Sequence, residues 1–470
     1  MPKPPEIFAR DREWNSLDQV PSYPQLGIIH GRRHQGKTQL LRAVAKSQRG
    51  FYFSGSKATE AESLRFFRQA LSDYLKEPVD HFPDWYDAMC FLFRRVRTRP
   101  TFIAIDDITC LAKESPELPS IIRREFECAS QLRSPVLLVL SGSDSSVMTT
   151  VRHELFPSSY GESFALVMRP FDHRTAARFW GIDDPRLATQ VNSIVGGTPA
   201  YRRFAEGDVP RGPDDIDDWV IRTLFDPTNA LCHQPRHRIA EEIGGSSGYV
   251  CRSLLAAIAL GDNTKPTIAT HTGSHAKTLS HALKVLLDRE LILKEPDVFR
   301  KNRPRYRVID PVLRFYFATM RPQWSLIETG DGDKVWRDTR PHYINTVVRP
   351  HFAQLCRDYE QLAERLSDWP GVVGAGTVPD PRHRRPINID VAVFGIGQPR
   401  RVLSLGQTNW NETMRGRHLE HLARAYELLG EAGYDVRDCV LTLYSGKGFE
   451  ESVRDEDRVV TIGLDDLYEK

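Results

Sequence analysis

The chain has 470 residues, of which 40% are hydrophobic and 27% are charged, and its formal net charge is +2. This composition is ordinary for a soluble globular protein, and domains of roughly 100–200 residues would divide such a length into two to four. The near-neutral balance argues neither for nor against a nucleic-acid partner, although basic residues cluster at 300–307 and 379–385.

The cysteines and the N-terminal sequence indicate in which cellular compartment the protein is located. The seven cysteines contain no C-x-x-C pair, which predicts reduced thiols without a disulfide framework or a zinc ribbon. The N-terminal stretch MPKPPEIFARDREW lacks the apolar core of a signal peptide, and no window approaches the ~18 apolar residues of a membrane span. We therefore expect a cytoplasmic protein with no membrane partner.

Short apolar runs alternate with helix-like stretches between residues 26 and 170. The helical pattern is clear at 60–77 and 117–132, and the apolar runs are LGIIHG, GFYFSG, TFIAIDD, PVLLVLSGS and SFALVMRPF. Short β-type runs that alternate with helices predict a parallel sheet covered on both faces, the α/β class. A helical region at 172–205 ends in VGGTPAYRRF and belongs with this sheet in a predicted domain over 1–230.

The first apolar run leads into the full P-loop pattern G-x-x-x-x-G-K-T. Its glycines let backbone N–H groups turn onto phosphate oxygens, and the following helix presents its positive N-terminus. The pattern assigns Lys37 to the β- and γ-phosphates of ATP and Thr38 to Mg²⁺. A ligand-free glycine turn is the alternative, but composition alone produces this pattern in roughly one such chain in a hundred. The predicted ATP-binding residues of the loop are Gly31, Gln35, Gly36, Lys37, Thr38 and Gln39.

Two acids end the run TFIAIDD, which fits the Mg²⁺-side strand of a P-loop ATPase. We expect Asp106 to hold Mg²⁺ through water. Asp107 is predicted to polarise the attacking water, and a helix N-cap or turn acid is the alternative for it. The next run ends in Ser-Gly-Ser, where Ser141 or Ser143 either senses the γ-phosphate or simply forms the turn.

Residues 231–325 are predicted as a separate domain. YVCRSLLAAIALG, PTIATHTG and HAKTLSHALKVLLDREL indicate three helices, and LILKEP and RYRVID indicate two strands around a basic tip. This order is typical of a winged helix-turn-helix, whose basic side chains can neutralise DNA phosphates. Packing of this domain inside the protein is the competing interpretation. The candidate DNA-binding residues are Lys277, Lys284, Arg300, Lys301 and Arg303.

A third predicted domain, 326–470, is again α/β. Helical stretches around 340–366 precede strand-like runs at INIDVAVFG, RRVLSLGQT, CVLTLYSG and RVVTIGL. One helix, GRHLEHLARAYELLGEAG, falls between two of these runs.

FARDREWNSL, the P-loop, IDD, LSGS and GGTPAYRRF together resemble the archaeal-type ATPases of the STAND branch of the AAA-related superfamily. The resemblance covers most of the chain in order, although only the P-loop is a strict motif. It implies a P-loop NTPase parallel sheet with a helical lid, a winged helix and a C-terminal restriction-endonuclease-like α/β domain. It also implies that Arg10, near Phe8 and Glu13, lies close to the nucleotide, and that the GGxPxY element packs the lid.

Two departures from the family pattern predict slow hydrolysis. The family acid pair is usually Asp-Glu, and the shorter Asp107 positions water less well. An arginine that the family often carries beyond the sensor region is replaced by Glu162 and Ser163, with Arg152 and Arg169 as candidate substitutes.

The implied nuclease-like domain has an incomplete active-site motif. PD-(D/E)xK chemistry needs an Asp at a strand end and a Glu-x-Lys on the next strand, with the carboxylates on Mg²⁺. Asp390 fits the first position, but the other two read Gln407 and Asn409. Because a neutral amide is a poor magnesium ligand, we expect a degenerate, inactive site. Migration of Glu412 or Asp358 into the site is the alternative.

These features predict an ATP- and Mg²⁺-dependent molecular switch with slow hydrolysis. Its nucleotide state would control the winged helix and the degenerate nuclease-like domain, acting on double-stranded DNA or on a protein partner. An ATP-dependent DNA nuclease and a DNA-binding transcription or architectural factor are the alternatives. Homo-oligomerisation is left open.

Overall fold

The structure is a computed structural model that describes residues 2–155, 163–244, 248–362, 372–383, 385–454 and 456–469. It divides into two compact units, Met1–Pro170 and Phe171–Lys470. The finer division at residues 230 and 325 stays a prediction. Among the described residues, no helix combines the length and the apolar character needed to cross a membrane.

The first unit alternates strands with helices. Its elements are α1 Asp11–Asn15, β1 Gln25–His30, α2 Lys37–Gln48, β2 Phe51–Ser54, α3 Glu60–Leu75, α4 Trp85–Val96, β3 Thr101–Asp106, α5 Ile108–Glu114, α6 Leu118–Gln131, β4 Val136–Gly142, α7 Ser145–Leu155 and β5 Ser163–Val167.

All the apolar runs predicted in this region form one parallel sheet, in the order β2–β3–β4–β1–β5. The predicted parallel α/β class is therefore confirmed. Every residue of β4 is buried, because both faces of the sheet are covered. Leu138 and Leu140 enter one hydrophobic cluster, while Leu137 and Val139 enter the cluster on the other face.

The strand order brings three predicted sites to one edge of this sheet. β4 lies between β1, which leads into the glycine loop, and β3, which ends at Asp106. Ile29 pairs with Ser141, and Ile105 pairs with Leu140, so the carboxyl ends of the three strands are level. At the usual strand spacing, the ends of β1 and β3 lie about 10 Å apart.

The second unit begins with helices and ends in a mixed sheet. Its elements are α8 His173–Trp180, α9 Pro185–Val195, α10 Ala200–Phe204, α11 Ile216–Leu224, α12 Ala230–Glu242, α13 Gly248–Ala259, α14 Lys265–Thr272, α15 Ala276–Asp288, β6 Ile292–Glu295, β7 Arg305–Val308, α16 Pro311–Phe315, α17 Trp324–Glu328, α18 Gly332–Tyr343, α19 Arg349–Leu362, β8 Val372–Val378, β9 Ile387–Gly395, β10 Gln398–Asn409, α20 Gly416–Glu431, β11 Val440–Ser445, α21 Glu451–Arg454, β12 Val459–Ile462 and α22 Leu464–Tyr468.

Helices α13, α14 and α15 precede the antiparallel hairpin of β6 and β7. This is the element order that the winged-helix prediction requires, and the assignment of that domain stays a prediction. The larger sheet has the order β12–β11–β10–β9–β8, with β8 and β9 antiparallel to their neighbours and β10, β11 and β12 parallel.

Both ends of the second unit meet in its interior. His173 Nε2 lies 2.7 Å from the carbonyl oxygen of Leu467, and Arg174 Nε donates to the same oxygen at 2.8 Å. Burial lowers the pKa of His173, so the neutral imidazole donates from Nε2. These contacts join α8, near the start of the second unit, to α22, near its end.

A buried ion pair joins α10, α12 and the start of α16. The Tyr201 hydroxyl donates to Asp310 Oδ2 at 2.9 Å, and Arg238 contacts both this hydroxyl, at 3.0 Å, and the Asp310 carboxylate. Gly197 approaches Phe171 so closely that a Cβ would lie 1.9 Å from its carbonyl oxygen. The GGTPAY stretch is therefore packed inside the second unit.

The hairpin tip, residues 296–304, is inserted against strand β8. Asp297 bridges to Ala375, and the Val298 N–H donates to the Ala375 carbonyl at 3.1 Å. The ring of Phe299 lies 5.6 Å from that of Phe394 and 5.9 Å from that of Tyr434. The tip thus packs against the hydrophobic core of the C-terminal sheet.

The insertion of the tip explains why β8 has only a weak strand pattern in the sequence and was not predicted. Its sequence, VVGAGTV, carries two glycines, which weaken the strand pattern. A Cβ at Gly374 would lie 2.4 Å from Val298 Cγ1, and one at Gly376 would lie 2.7 Å from the Phe299 ring. The glycines leave room for side chains that arrive from a segment more than seventy residues earlier in the chain.

We expect Gly374→Ala to lower the thermal unfolding midpoint of the second unit. The added methyl would overlap Val298, and overpacking of this kind costs about 1–3 kcal/mol. Scanning calorimetry of the full chain measures the effect. Gly416→Ala is the matched control, because its Cβ would meet open space, and equal midpoints for the two variants would contradict the insertion of the tip.

Candidate nucleotide site

The loop between β1 and α2 takes a backbone path that its glycines permit. Gly36 has φ 91° and His34 has φ 69°, both left-handed. A Cβ at Gly31 would lie 2.4 Å from the carbonyl oxygen of Met168, whose own N–H donates to the His30 carbonyl at 2.8 Å. The residue type at Gly31 is therefore dictated by close contact with the chain that follows β5.

Lys37 places a positive charge inside this loop. The residue is 8% exposed, and its Nζ donates to the carbonyl oxygens of Gly31, at 2.6 Å, and Arg32, at 2.9 Å. It stands in the first turn of α2, where Gly36 supplies no side-chain cap. A cation and a helix N-terminus both favour an anion, so these residues fit the phosphate chain that the motif predicts. Thr38, the next residue, is exposed at the mouth of the loop.

Asp106 is held in one orientation by three donors. Its Oδ1 accepts hydrogen bonds from the Ser141 hydroxyl and, at 3.0 Å, from the Asp107 N–H, while its Oδ2 accepts one from the Tyr52 hydroxyl at 2.9 Å. The side chain is 3% exposed. The structure thus brings Asp106 and Ser141 into direct contact, so the Ser141 hydroxyl serves this carboxylate. Sensing of a phosphate by Ser141 stays a prediction.

Tyr52 belongs to this group of side chains and was missed by the sequence analysis. Burial, together with the negative charge of Asp106, raises its pKa to about 12, so it remains a hydrogen-bond donor at neutral pH. It reaches Asp106 because β2 pairs with β3, with Ser54 opposite Asp106. No local signal in GFYFSG reveals this partner, since strand order is a property of the sheet.

Asp107 lies in the left-handed region with φ 53°, at the point where β3 passes into α5. Its carboxylate accepts a hydrogen bond from Thr109 Oγ1 at 3.2 Å, and it makes no side-chain cap to the helix. Asp tolerates this backbone conformation better than most residues. The left-handed backbone therefore favours a short acid such as Asp at this position.

The predicted nucleotide residues Arg10 and Gln39 connect the N-terminal segment to the loop. Arg10 Nη2 donates to the carbonyl oxygens of Gln35, at 3.2 Å, and Arg169, at 2.8 Å. Burial lowers the pKa of Arg10. Gln39 Nε2 donates to the Glu6 carbonyl at 3.0 Å. These hydrogen bonds connect the N-terminal segment to the loop and to helix α2. A direct role in nucleotide binding stays a prediction for both residues.

Glu162 and Ser163 were predicted to stand in place of an arginine. Glu162 lies outside the described residues, and Ser163 is the first residue of β5. The candidate substitutes Arg152 and Arg169 both have exposed side chains.

The second predicted site surrounds Asp390, on β9. Its Oδ2 accepts hydrogen bonds from the N–H and the hydroxyl of Thr408, each at 2.9 Å, and burial raises its pKa. Arg357 Nη1 donates to the Asp390 carbonyl at 2.8 Å, and its Nη2 donates to Gln354 Oε1 at 2.7 Å. One oxygen of the carboxylate is therefore bonded within the protein, and a guanidinium contacts the backbone carbonyl of the same residue.

The other residues of this site differ in their hydrogen bonding. Asn409 Oδ1 accepts from the backbone N–H groups of Asn411, at 3.2 Å, and Glu412, at 3.1 Å. Gln407 carries a buried Oε1 without a hydrogen-bond partner among the described residues. Glu412 pairs with Arg417 at 2.7 Å.

Asp358, the other carboxylate considered for this site, accepts from Gln354 Nε2 at 2.7 Å, and burial raises its pKa. Within the described ranges, no group of three or more His, Cys, Asp and Glu side chains is arranged to hold a metal ion.

The candidate DNA-binding residues lie on two elements of the second unit. Lys277 and Lys284 are exposed on α15, while Lys301 and Arg303 are exposed and Arg300 is half-buried in the hairpin tip. The structure thus leaves all five in contact with solvent.

No family model matches the chain. An uncharacterized protein of Methanocaldococcus jannaschii is 24% identical over 313 residues, which span 64% of this chain and 66% of that protein. A Walker-type ATPase of Pyrococcus abyssi has 17% identity and a TM-score of 0.46, over 66% of this chain and 96% of its own. The ORC2 protein of Aeropyrum pernix, in ADPNP–ADP complexes, has 15% identity and a TM-score of 0.45, over 72% and 96%. These similarities are too low to assign a family, so the functional inference depends on the geometry of the loop.

Proposed function

We propose that this chain is an ATP-binding molecular switch that hydrolyses ATP slowly. The observation that carries the proposal is the Lys37 ammonium, which lies inside a glycine loop at the N-terminus of α2. That loop stands one strand away from the buried acid Asp106. A positive helix end, a buried cation and a carboxylate thus meet at the same sheet edge.

The residues present suit ATP with Mg²⁺. The loop amides and Lys37 would hold the phosphates, and Thr38 and Asp106 would hold the metal ion. Three donors already bond the Asp106 carboxylate, which favours a contact with the ion through water. Bound Mg²⁺ supplies neutralisation of the charge on the β- and γ-phosphates. Asp107, at the same edge, is the candidate that orients the attacking water.

A mechanical connection supports the role of a switch. The Met168 backbone contacts both His30 and Gly31, and the second unit begins only a few residues later, at Phe171. A loop that changes shape with its ligand would therefore act on the segment that leads into the second unit. The buried pair Arg238–Asp310 and the inserted hairpin tip would carry such a change through that unit as one body.

For the C-terminal sheet we propose a nuclease-like fold without nuclease activity. Thr408 occupies the Asp390 carboxylate, and neither Gln407 nor Asn409 offers a charge. The exposed lysines and arginines of α15 and the hairpin tip favour DNA as the partner of this unit. The same residues support a second candidate function, that of a DNA-binding factor whose activity does not depend on nucleotide.

We expect Lys37→Ala to weaken the binding of a fluorescent ATP analogue, in the presence of Mg²⁺, by about 30-fold or more. Removing one partner of a buried charge contact costs roughly 2–5 kcal/mol. Lys46→Ala is the matched control, because Lys46 is exposed near the other end of the same helix. Unchanged affinity for Lys37→Ala would exclude the loop as the nucleotide site.

Asp107→Asn separates two roles for this residue. Asn is isosteric and tolerates the left-handed backbone, so the change removes only the charge. If Asp107 orients water, kcat falls by about 10²–10⁴-fold while ATP affinity is unchanged. The control is Asp144→Asn, an acid at the same sheet edge that pairs with Lys113. An unaltered kcat for Asp107→Asn would show that Asp107 has only a structural role, in the turn between β3 and α5.

Asp390→Asn should leave the protein as stable as the wild type at pH 7, or more stable. Asn keeps an acceptor for Thr408 and removes a charge that burial disfavours. Because the folded-state pKa is raised, ionised Asp390 destabilises the native state as pH rises from the unfolded pKa through the folded one. The difference between variant and wild type should therefore shrink toward pH 4, as measured by urea denaturation.

The same variant tests the loss of nuclease chemistry. Wild-type protein should not cleave plasmid DNA in Mg²⁺ or Mn²⁺. Metal-dependent cleavage that is lost in Asp390→Asn would overturn the inactive assignment.

A further inference from the structure

The hairpin tip carries apolar and basic residues in different surroundings. Val298 and Phe299 fill the space above Gly374 and Gly376, so the apolar residues are used inside the protein. Among the basic residues, Lys301 and Arg303 are exposed and Arg300 is half-buried.

Both ends of the tip are fastened to one residue of β8. Asp297 Oδ1 accepts from the Thr377 N–H at 3.2 Å, and Arg305 Nη2 donates to Thr377 Oγ1 at 2.7 Å. Asp297 Oδ1 also accepts from the N–H groups of Phe299 and Arg300, each at 3.0 Å. The tip is therefore held in a fixed turn beside the C-terminal end of β8.

A second basic segment begins at the same end of the strand. The connection from β8 to β9 starts directly after Val378, one residue beyond Thr377. Its Asp380 is 6% exposed, accepts from the Arg382 N–H at 3.0 Å and lies 2.7 Å from His383 Nδ1. These bonds shape the connection and cover its acid, while Arg382, His383 and Arg385 are exposed.

We propose that the tip and this connection form one composite basic surface that binds the phosphate backbone of double-stranded DNA. The composite basic surface comprises Arg300, Lys301, Arg303, Arg382 and Arg385. It deepens, and rests on, the DNA-directed part of the proposed function. It differs from a freely projecting wing because two of its five charges come from a segment about eighty residues further along the chain.

Charge and shape favour a duplex as the ligand. In the described part of the chain, none of the five cations forms an ion pair, and the nearby acids Asp297 and Asp380 are already bonded. Duplex DNA carries one charge per ≈ 1.7 Å of axis, and arginine and lysine contacts to phosphate need no particular base sequence. Phe299, the aromatic residue of the tip, is half-buried and packs with its ring against Phe394 and Tyr434. It is therefore not available as the stacking platform that single strands require.

Fluorescence anisotropy of a labelled 25-base-pair duplex, over a series of KCl concentrations, tests the proposal on the full chain. One variant combines Arg300→Gln, Lys301→Gln and Arg303→Gln, and the other combines Arg382→Gln and Arg385→Gln. Each should weaken binding across unrelated sequences. Each should also reduce the slope of log K against log salt by about 0.9 for every phosphate that the variant no longer neutralises.

The control variant combines Arg65→Gln and Arg337→Gln. These exposed arginines each pair with an acid on their own helix, and the change in net charge matches that of the connection variant. Affinity and salt slope should stay at wild-type values. Equal thermal midpoints for all variants would show that the fold is retained.

Three results would overturn the proposal. The first is a connection variant with unaltered affinity, because the surface would then not be composite. The second is single-stranded DNA binding as tightly as the duplex. The third is wild-type protein that binds poly-glutamate but no duplex, which would indicate an acidic protein partner. Binding of the ATP analogue is measured on the same samples, and no surface variant should change its affinity. This measurement distinguishes a wrong assignment of the DNA-binding surface from a wrong assignment of the nucleotide site.

Discussion

A cation buried in a glycine loop is the interaction around which the first unit is organised. Lys37 gives up most of its hydration and donates to two carbonyl oxygens instead, at the end of a helix whose dipole is also positive. A cation and a helix N-terminus at the same place favour a bound anion. Residues outside the loop hold it in place. Met168 packs closely against Gly31, and Arg10 donates a hydrogen bond to the carbonyl oxygen of Gln35.

The two candidate sites of the chain contrast in the charge that they offer a ligand. At the loop, the positive charge of Lys37 and the amides of a helix N-terminus converge. At Asp390, the carboxylate oxygen Oδ2 accepts two hydrogen bonds from Thr408, and Arg357 donates to the backbone carbonyl of the same residue. The loop thus offers positive charge to an anion, whereas one oxygen of the Asp390 carboxylate is already bonded within the protein.

Within the second unit, distant segments are joined by close packing. Val298 and Phe299 of the hairpin tip pack against Gly374 and Gly376. The ion pair Arg238–Asp310 is almost completely buried. Removing one member of a buried pair typically costs about 3–5 kcal/mol, because a charge is left uncompensated. These contacts join the helices of the second unit to its C-terminal sheet.

The sequence by itself determined the local features. The strands of the first sheet, the helices around them and the loop Gly31–Thr38 follow from apolar periodicity and from a motif whose chemistry is contiguous. Only the tertiary structure decided the partners: Tyr52 beside Asp106, the glycines of β8 beneath Val298, and the tip next to the connection that follows β8. Periodicity reports which face of an element is buried but not what covers it, because strand order and docking depend on contacts between residues far apart in the chain.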